Sequence, residues 1–573
     1  MNRQVIYTET MRCQDCYKCV RECPVKAIQI LDGHARVVED ICILCGHCVM
    51  VCPQSAKKVR SDVERVRRLL ELKPVAVASL APSFAAEFSG CTAGQLIASI
   101  RKLGFAAVSE TALGADLVSS AMRNELGELA DNGRYFLIGA ACPAVVRYVS
   151  FYRPDLVPFL SENGSPMIVH ARYLRSRFGE NALVVFIGPC IAKKKEADES
   201  GGLVNAVLTF AELRQLFEEE NIDPSAEKPT SNDTFFPQRP SKGELYPIEG
   251  GMIASIKQHG STDVPCMSFS GMGHIQAALR DLPDGIPETG IFLELLACEG
   301  GCINGPCSDA SRGTVSKRMQ ILLYEKQGES EPFNTEIACQ VKHSAANPVQ
   351  RQVREEEIRA ALALVGKKEP SDELNCSGCG YDSCREFAKA IVIGHAEPTM
   401  CLSYMRNLAQ KKANALLRAM PSAAVVVNAD LKVIECNEPF VRILEKDAQF
   451  VAEAKPTLEG ADLRKLLPFW ERFNDVLHHS PGDAFIESDF RCGERILHGT
   501  IFSIEKEMIA GGLFQDITAP WIQKDRVIKE AKKVIRQNVR TVQKIAYLLG
   551  ENAAESEAAL RSIIESFGGE VGQ

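Results

Sequence analysis

The sequence predicts a multidomain chain of mixed α+β and α/β class, on three observations. Two cysteine-rich repeats open the chain, apolar strand-like runs alternate with helical stretches from about residue 74 to about 330, and residues 410 to 520 read as strands and turns with no cysteine array. At 573 residues the chain can bury several cores. Hydrophobic residues make up 46% and charged residues 24%, as in ordinary globular proteins. The formal net charge of -8 argues against a phosphate-binding surface, so nucleic acid is not expected as a partner. No apolar run reaches the roughly 18 residues of a membrane helix. The opening MNRQVIYTETMRC has no apolar signal core, so a cytoplasmic, membrane-free protein is expected. In a large chain of that kind, 22 cysteines point to metal ligation rather than disulfides.

The first repeats carry the clearest chemistry. Cys13, Cys16, Cys19 and Cys23 form C-x2-C-x2-C-x3-C closed by Pro24, and Cys42, Cys45, Cys48 and Cys52 repeat it, closed by Pro53. This is the run of bacterial two-cluster ferredoxins, in which the fourth cysteine of each run serves the other cluster. Cys13, Cys16, Cys19 and Cys52 are therefore expected to hold one 4Fe–4S cluster, and Cys42, Cys45, Cys48 and Cys23 the second. A zinc site would need only four such ligands. Residues 1–60 form this domain; a basic, helical stretch from Ser61 to Leu72 follows.

From Lys73 and Pro74 onward the alternating pattern predicts parallel sheets. Three loops stand out because cysteine follows an apolar strand each time: IGAACPAV at 138–145, IGPCIAKKKE at 187–196 and LELLACEGGCINGPC at 293–307. Ligands at strand ends, gathered from distant sequence, are how an α/β domain builds a site. Singly, each loop is as well read as a buried structural thiol.

Together the three loops resemble the signature loops of FeFe-hydrogenases, T-S-C-C-P, M-P-C-x-x-K-x-x-E and E-x-M-A-C-x-G-G-C. The resemblance implies that Cys142, Cys190, Cys298 and Cys302 bind the 4Fe–4S part of an H-cluster. Cys302 would also bridge to a two-iron subcluster carrying carbon monoxide, cyanide and a bridging dithiolate. Lys193 matches the lysine that hydrogen-bonds a cyanide, and Glu196 closes the second motif. Gly300 and Gly301 would let backbone approach the cluster. Ser161, in RPDLVPFLSENGSP, falls at the family's proton-path serine, and Glu125 at one of its carboxylates, with Met122 at the other. The resemblance covers residues 1 to about 330, with the H-cluster domain at 74–330.

The departures bear on function. Ala141 stands where active members carry a proton-donating cysteine, and alanine has no transferable proton. Gly139, Ala140, Gly188 and Leu296 replace family threonine, serine, methionine and methionine. Such changes resemble the sensory branch of the family, in which ligand binding is kept and fast turnover is lost. A degenerate, Narf-like protein is the alternative: an iron–sulfur electron-transfer protein without a two-iron site. Cys302 between its flanking residues argues against it.

Residues 223–245, rich in proline, serine and charge, read as an exposed loop. After a linker at 331–368, Cys376, Cys379, Cys384 and Cys401 give C-x2-C-x4-C-x16-C within a module at 369–408. Four thiolates suit zinc as well; the segment resembles a small 4Fe–4S module of redox proteins. Residues 410–520 resemble a PAS domain, and 521–567 a helix with Ile528, Ile535, Val542 and Leu549 every seven residues. His478 and His479 read as solvated loop residues. The expectation is thus an N-terminal two-cluster ferredoxin fold, an α/β H-cluster domain, a 4Fe–4S module, a PAS domain and a C-terminal helix. The cofactors implied are three accessory 4Fe–4S clusters and an H-cluster. The partners implied are dihydrogen and protons, a redox carrier such as ferredoxin, and a signalling partner or a second copy acting through the PAS domain and terminal helix. Cys91, Cys266, Cys307, Cys339, Cys436 and Cys492 receive no role.

Overall fold

The computed structural model describes residues 4–72, 75–129, 135–260, 262–280, 290–327, 333, 335–346, 351–444, 458–478, 485–518, 533–545 and 547. They fall into two compact units, 1–397 and 398–573, and the division lies inside the segment assigned to the small cysteine module. Among the described residues no helix is long and apolar enough to cross a membrane.

The first unit opens with two small antiparallel pairs, Ile6–Thr8 with Lys57–Val59 and Ile28–Leu31 with His34–Val37, flanking the short helices Lys18–Arg21 and His47–Met50. This is the two-fold arrangement expected of a two-cluster ferredoxin domain. The helix Val63–Glu71 leads out of it.

Two parallel sheets follow. One has the order Ala107–Glu110, Ala76–Leu80, Leu183–Gly188, Ala206–Thr209; the other runs Cys266–Ser270, Ile291–Leu296, Phe136–Ile138. The inner strands are near-continuous apolar runs, as parallel strands covered on both faces are: Ala76–Leu80 is buried at all five positions, whereas the edge strand Cys266–Ser270 leaves Met267 exposed. One core joins them, with Leu80, Ile187, Leu208 and Phe292 at its centre.

The segment 223–245 is less exposed than its composition predicts. Phe235 reaches the core and packs on Phe84 with ring centroids 5.6 Å apart, and Arg239 pairs with buried Glu244 at 2.7 Å. Phe235, its neighbour Phe236, which packs on Phe178 with ring centroids 4.6 Å apart, and an internal ion pair outweigh a loop-like composition.

Glu244 belongs to a group of buried carboxyls with a consequence for pH. Burial pushes Glu244 up to about 7 and Asp116 up to about 6, and raises Glu110 further, despite Arg239 beside Glu244 and backbone donors on Asp116. Groups raised in the folded state stabilise it below their unfolded values, near 4. That contribution is lost as pH rises through the folded values. Urea midpoints of the iron-loaded protein are expected to fall between pH 6 and pH 8, and a midpoint rising over that window would contradict this assignment.

The linker is tied down along part of its length. Gly164 donates to the Cys339 carbonyl at 2.8 Å, Val341 donates to the Glu162 carbonyl at 2.6 Å, and Phe333 sits edge-on to Tyr173. Its last part forms the helix Glu355–Leu364, which packs on Cys384–Val392.

The second unit begins with the helix Leu402–Ala419, capped at its start by Cys401. A five-stranded antiparallel sheet follows, in the order Val433–Cys436, Ala423–Asn428, Ile509–Asp516, Arg495–Glu505, Phe485–Cys492. The helices Glu438–Ile443 and Glu471–His478 cover one face through Phe440, Phe473 and Phe514. This is the helix-covered sheet expected of a PAS domain. His478 ends a helix and is exposed; His479, Ile528 and Leu549 lie outside the described residues. Residues 533–545 are helical, and Val539 and Val542 pack with Met420, Ala424, Phe502 and Leu513 on the sheet's other face.

Candidate functional site

Each signature loop leaves a parallel strand at its carboxyl end. Cys142 follows Phe136–Ile138 and caps the helix Pro143–Tyr152. Cys190 follows Leu183–Gly188 and precedes the helix Ala192–Asp198. Cys298 follows Ile291–Leu296, and Cys302 starts the turn Cys302–Asn304. The strand ends of both sheets converge, so the four thiols line one cavity.

The loop that carries Cys302 depends on glycine. Gly301 has φ +102°, and a Cβ there would collide with the Pro247 carbonyl oxygen and approach Ile248 Cα at 3.0 Å. Both obstacles are backbone, which cannot swing aside. Gly301→Ala is expected to destabilise the protein by about 1–3 kcal/mol and to lower iron content by displacing Cys302. Unchanged iron content and melting temperature would refute the close approach.

The cavity thiols are mutually close and partly buried. Burial and the neighbouring thiols together push Cys190 up to about 11 and hold Cys298 and Cys302 well above the usual thiol range, with Lys193 opposing at Cys190 and Cys302. Four thiols in this position cannot ionise together without a positive counter-charge, which a metal cluster supplies. The donor set and the space therefore fit a cluster.

Lys193 lines the same cavity and is 8% exposed; its Nζ lies 2.8 Å from Glu196 Oε2. Ala141 presents only a methyl group to it. Ser161, fully buried, donates to Glu125 Oε2 at 2.6 Å, and Asn163 donates to the same oxygen at 2.8 Å. This pair stands apart from the cavity lining, and Met122 is buried in the apolar core.

Two further groups escaped the sequence reading. Glu294 lines the cavity, is 1% exposed, accepts from the backbone of Gly250, Met252 and Ile253, and is pushed by burial up to about 7. Its signal was the glutamate that opens the third family motif. His343 lies far outside the motifs, yet the linker carries it near Ser161: burial lowers its pKa, and Ser161, Glu196 and Glu125 oppose that shift.

The ferredoxin thiols fall into two groups. Cys19 feels Cys16, Cys13 and Cys52, whereas Cys48 feels Cys42, Cys45 and Cys23. The second group faces the cavity: Leu44 and Cys45 help to line it, and Cys298 feels Cys45. Gly46 makes this approach possible, since a Cβ there would sit 2.5 Å from Pro306 Cγ and 2.8 Å from Ile191 Cδ1. The helix that starts at Cys142 ends on the same domain, with Arg147 donating to the Cys42 carbonyl at 3.3 Å and Tyr152 to the Ile41 carbonyl at 2.6 Å. Of the module's thiols, Cys376, Cys379 and Cys384 lie in the first unit and Cys401 in the second.

Comparison with known proteins agrees with this layout. Residues 74–306 match the profile of the iron only hydrogenase large subunit, C-terminal domain; residues 12–57 match a 4Fe-4S dicluster domain, and residues 372–403 an Fe-S cluster family. A NADP-reducing hydrogenase subunit, HndD, of Solidesulfovibrio fructosivorans is 25% identical over 56% of this chain and 67% of its own length. Iron hydrogenase 1 of Clostridium pasteurianum is 24% identical over 44% of this chain and 53% of its own. The nuclear prelamin A recognition factor of Xenopus laevis is also 24% identical, over 52% of this chain and 84% of its own. Among solved structures, the FeFe-hydrogenase HydA(deltaEFG) aligns at 19% identity over 47% of this chain and 90% of its own, with a TM-score of 0.39. The PAS domain of an HTR-like protein from Haloarcula marismortui aligns at 16% identity over 19% of this chain and 99% of its own, with a TM-score of 0.15.

Proposed function

From the match of residues 74–306 to the iron-only hydrogenase large-subunit family, we infer that this chain is a sensory FeFe-hydrogenase that turns over dihydrogen slowly. The observation that carries the reading is the convergence of Cys142, Cys190, Cys298, Cys302 and Lys193 on one cavity. The four thiols would hold the H-cluster, with Cys302 bridging its two parts. When bound, that group supplies the iron site at which dihydrogen is split into a proton and a hydride.

The chain's own residues govern where the proton and the electrons go. Lys193, held by Glu196, offers an ammonium donor to an anionic ligand in a buried site, where a charge-assisted bond is strong. Ala141 cannot pass a proton, so the Ser161–Glu125 pair is cut off from the cavity. Slow turnover results from that gap. Cys45 beside Cys298 gives electrons a short exit into the ferredoxin domain. Passage of a redox signal to the PAS domain, a carrier such as ferredoxin and a cytoplasmic site, where thiolates stay reduced, complete the proposal.

A second reading, in which protons bypass Ala141, is favoured by one observation. Lys193 lines the cavity and holds Glu196, and His343 lies under the influence of both Glu196 and Glu125. The third possibility is an iron–sulfur protein without the two-iron site. Infrared spectra of matured protein under argon and dihydrogen test the main reading. Carbon monoxide and cyanide bands that shift under dihydrogen are expected, and their absence at full iron loading would overturn it.

A further inference from the structure

The third cysteine module rests on the ferredoxin domain, through contacts that include two hydrogen bonds, an ion pair and a close backbone approach. The Ile30 amide donates to the His395 carbonyl at 2.9 Å, so the module covers the free edge of the hairpin strand Ile28–Leu31. The Gly33 amide donates to Glu397 at 3.4 Å, and Lys26 Nζ lies 4.0 Å from Asp382. The tightest approach is at Gly380, where φ is +93° and a Cβ would stand 2.9 Å from Val20 Cγ1 and 3.1 Å from the Arg21 amide nitrogen.

This docking point has a chemical meaning. Gly380 is flanked by Cys379, a module thiol, and by Tyr381. Tyr381 is 5% exposed, its hydroxyl has no hydrogen-bond partner among the described residues, and it feels the charges of both Cys379 and Cys23. A buried tyrosine thus stands between a thiol of the module and a thiol of the ferredoxin group that faces the cavity. Cys23 stands with Cys42, Cys45 and Cys48, not with Cys13 and Cys16. Cys16, in that other group, is exposed to solvent.

We propose that the Cys379–Gly380–Tyr381 loop seats the third cluster against Cys23, so that the ferredoxin cluster nearest the cavity is a branch point with two exits. One exit leads to the cluster beside exposed Cys16, and the other to the cluster of Cys376, Cys379 and Cys384. Transfer along the second exit moves one electron from a reduced 4Fe–4S cluster to an oxidised one; the donor returns to the 2+ state as the acceptor falls to 1+, and no bond or proton changes. A linear chain would deliver every electron to an external carrier. A branch reserves one exit for the module that precedes the second unit.

The proposal rests on the cluster ligand sets and not on dihydrogen chemistry, so dithionite serves as the electron source. Electron paramagnetic resonance of the full-length, iron-loaded protein reads the contact directly. The third cluster's signal is identified by its loss in the Cys376→Ala/Cys379→Ala double variant. It is expected to relax several-fold faster in the native protein than in Gly380→Val, through spin coupling to the neighbouring cluster. In Cys16→Ser, which perturbs only the remote cluster, the fast relaxation is expected to persist. Equal relaxation in the native protein and Gly380→Val would overturn the proposal, and so would loss of coupling in Cys16→Ser, which would make the remote cluster the partner. Amide exchange reads the docking without any cluster: Ile30 is expected to be protected in the native protein and to exchange at least tenfold faster in Gly380→Val. Identical exchange would refute the docking whether or not the variant takes up iron.

Discussion

Ala141→Cys is expected to raise dihydrogen evolution by the matured protein by about 10²–10⁴-fold, the usual contribution of a positioned acid or base. Residue 141 lines the cavity directly before Cys142, so a thiol there would face the site while the backbone kept its course. Part of a relay is in place, because Ser161 already donates to Glu125 at 2.6 Å, although apolar Met122 stands at the other carboxylate position. A rise confined to turnover, with infrared bands unchanged, would identify proton delivery as the defect. No rise, together with a fall in residual activity in His343→Gln, would instead assign the proton to the route through Lys193, Glu196 and His343. His343→Gln without effect in the native protein leaves that route unused.

The second large effect is on stability. Lys194 is fully buried, and its Nζ lies 2.9 Å from Glu212, 3.1 Å from Asp62 and 2.8 Å from the Val207 carbonyl. Asp62 comes from the segment that leaves the ferredoxin domain, whereas Glu212 sits on the helix Phe210–Glu219, whose first turn it caps. Lys194 also sits on the helix that carries Lys193 and Glu196. Lys194→Met keeps the volume but leaves buried Glu212 without its cation and Asp62 with Arg60 alone, at 3.2 Å. Removing one partner of such a group costs about 3–5 kcal/mol. Denaturant midpoints should drop accordingly, and the second motif should lose its fixed position, lowering iron content at the four-thiol cavity. A midpoint within error of the native protein would show that the carboxylates find other partners or protons.

The grouping of the thiols was legible in the chain wherever spacing was local. C-x2-C-x2-C-x3-C twice over leaves few alternatives, and the two thiol groups gather with Cys23 and Cys52 exchanged as that motif requires. The strand-then-cysteine pattern located Cys142, Cys190 and Cys298, because a parallel strand buried on both faces is an apolar run that stands out in the sequence. Gly300 and Gly301 were marked by their place beside Cys302, and Gly301 proves to be a position that backbone neighbours restrict.

Other features depended on distant segments meeting, which no local pattern encodes. Composition marked 223–245 as an exposed loop, but Phe235 packs on Phe84, more than a hundred residues away, and Glu244 is buried beside Arg239. His343 reads as an ordinary linker residue until the bonds from Gly164 and Val341 lay that linker beside Ser161. Glu294 reads as a polar interruption in a strand until the helix Gly251–Gln258 aims its first amides at it. Residue types at short spacing settle which metal chemistry a chain can hold, because a cluster needs particular atoms. Which cluster neighbours which, and where a proton can leave, is decided by packing, because both depend on distances of a few ångströms between segments far apart in sequence.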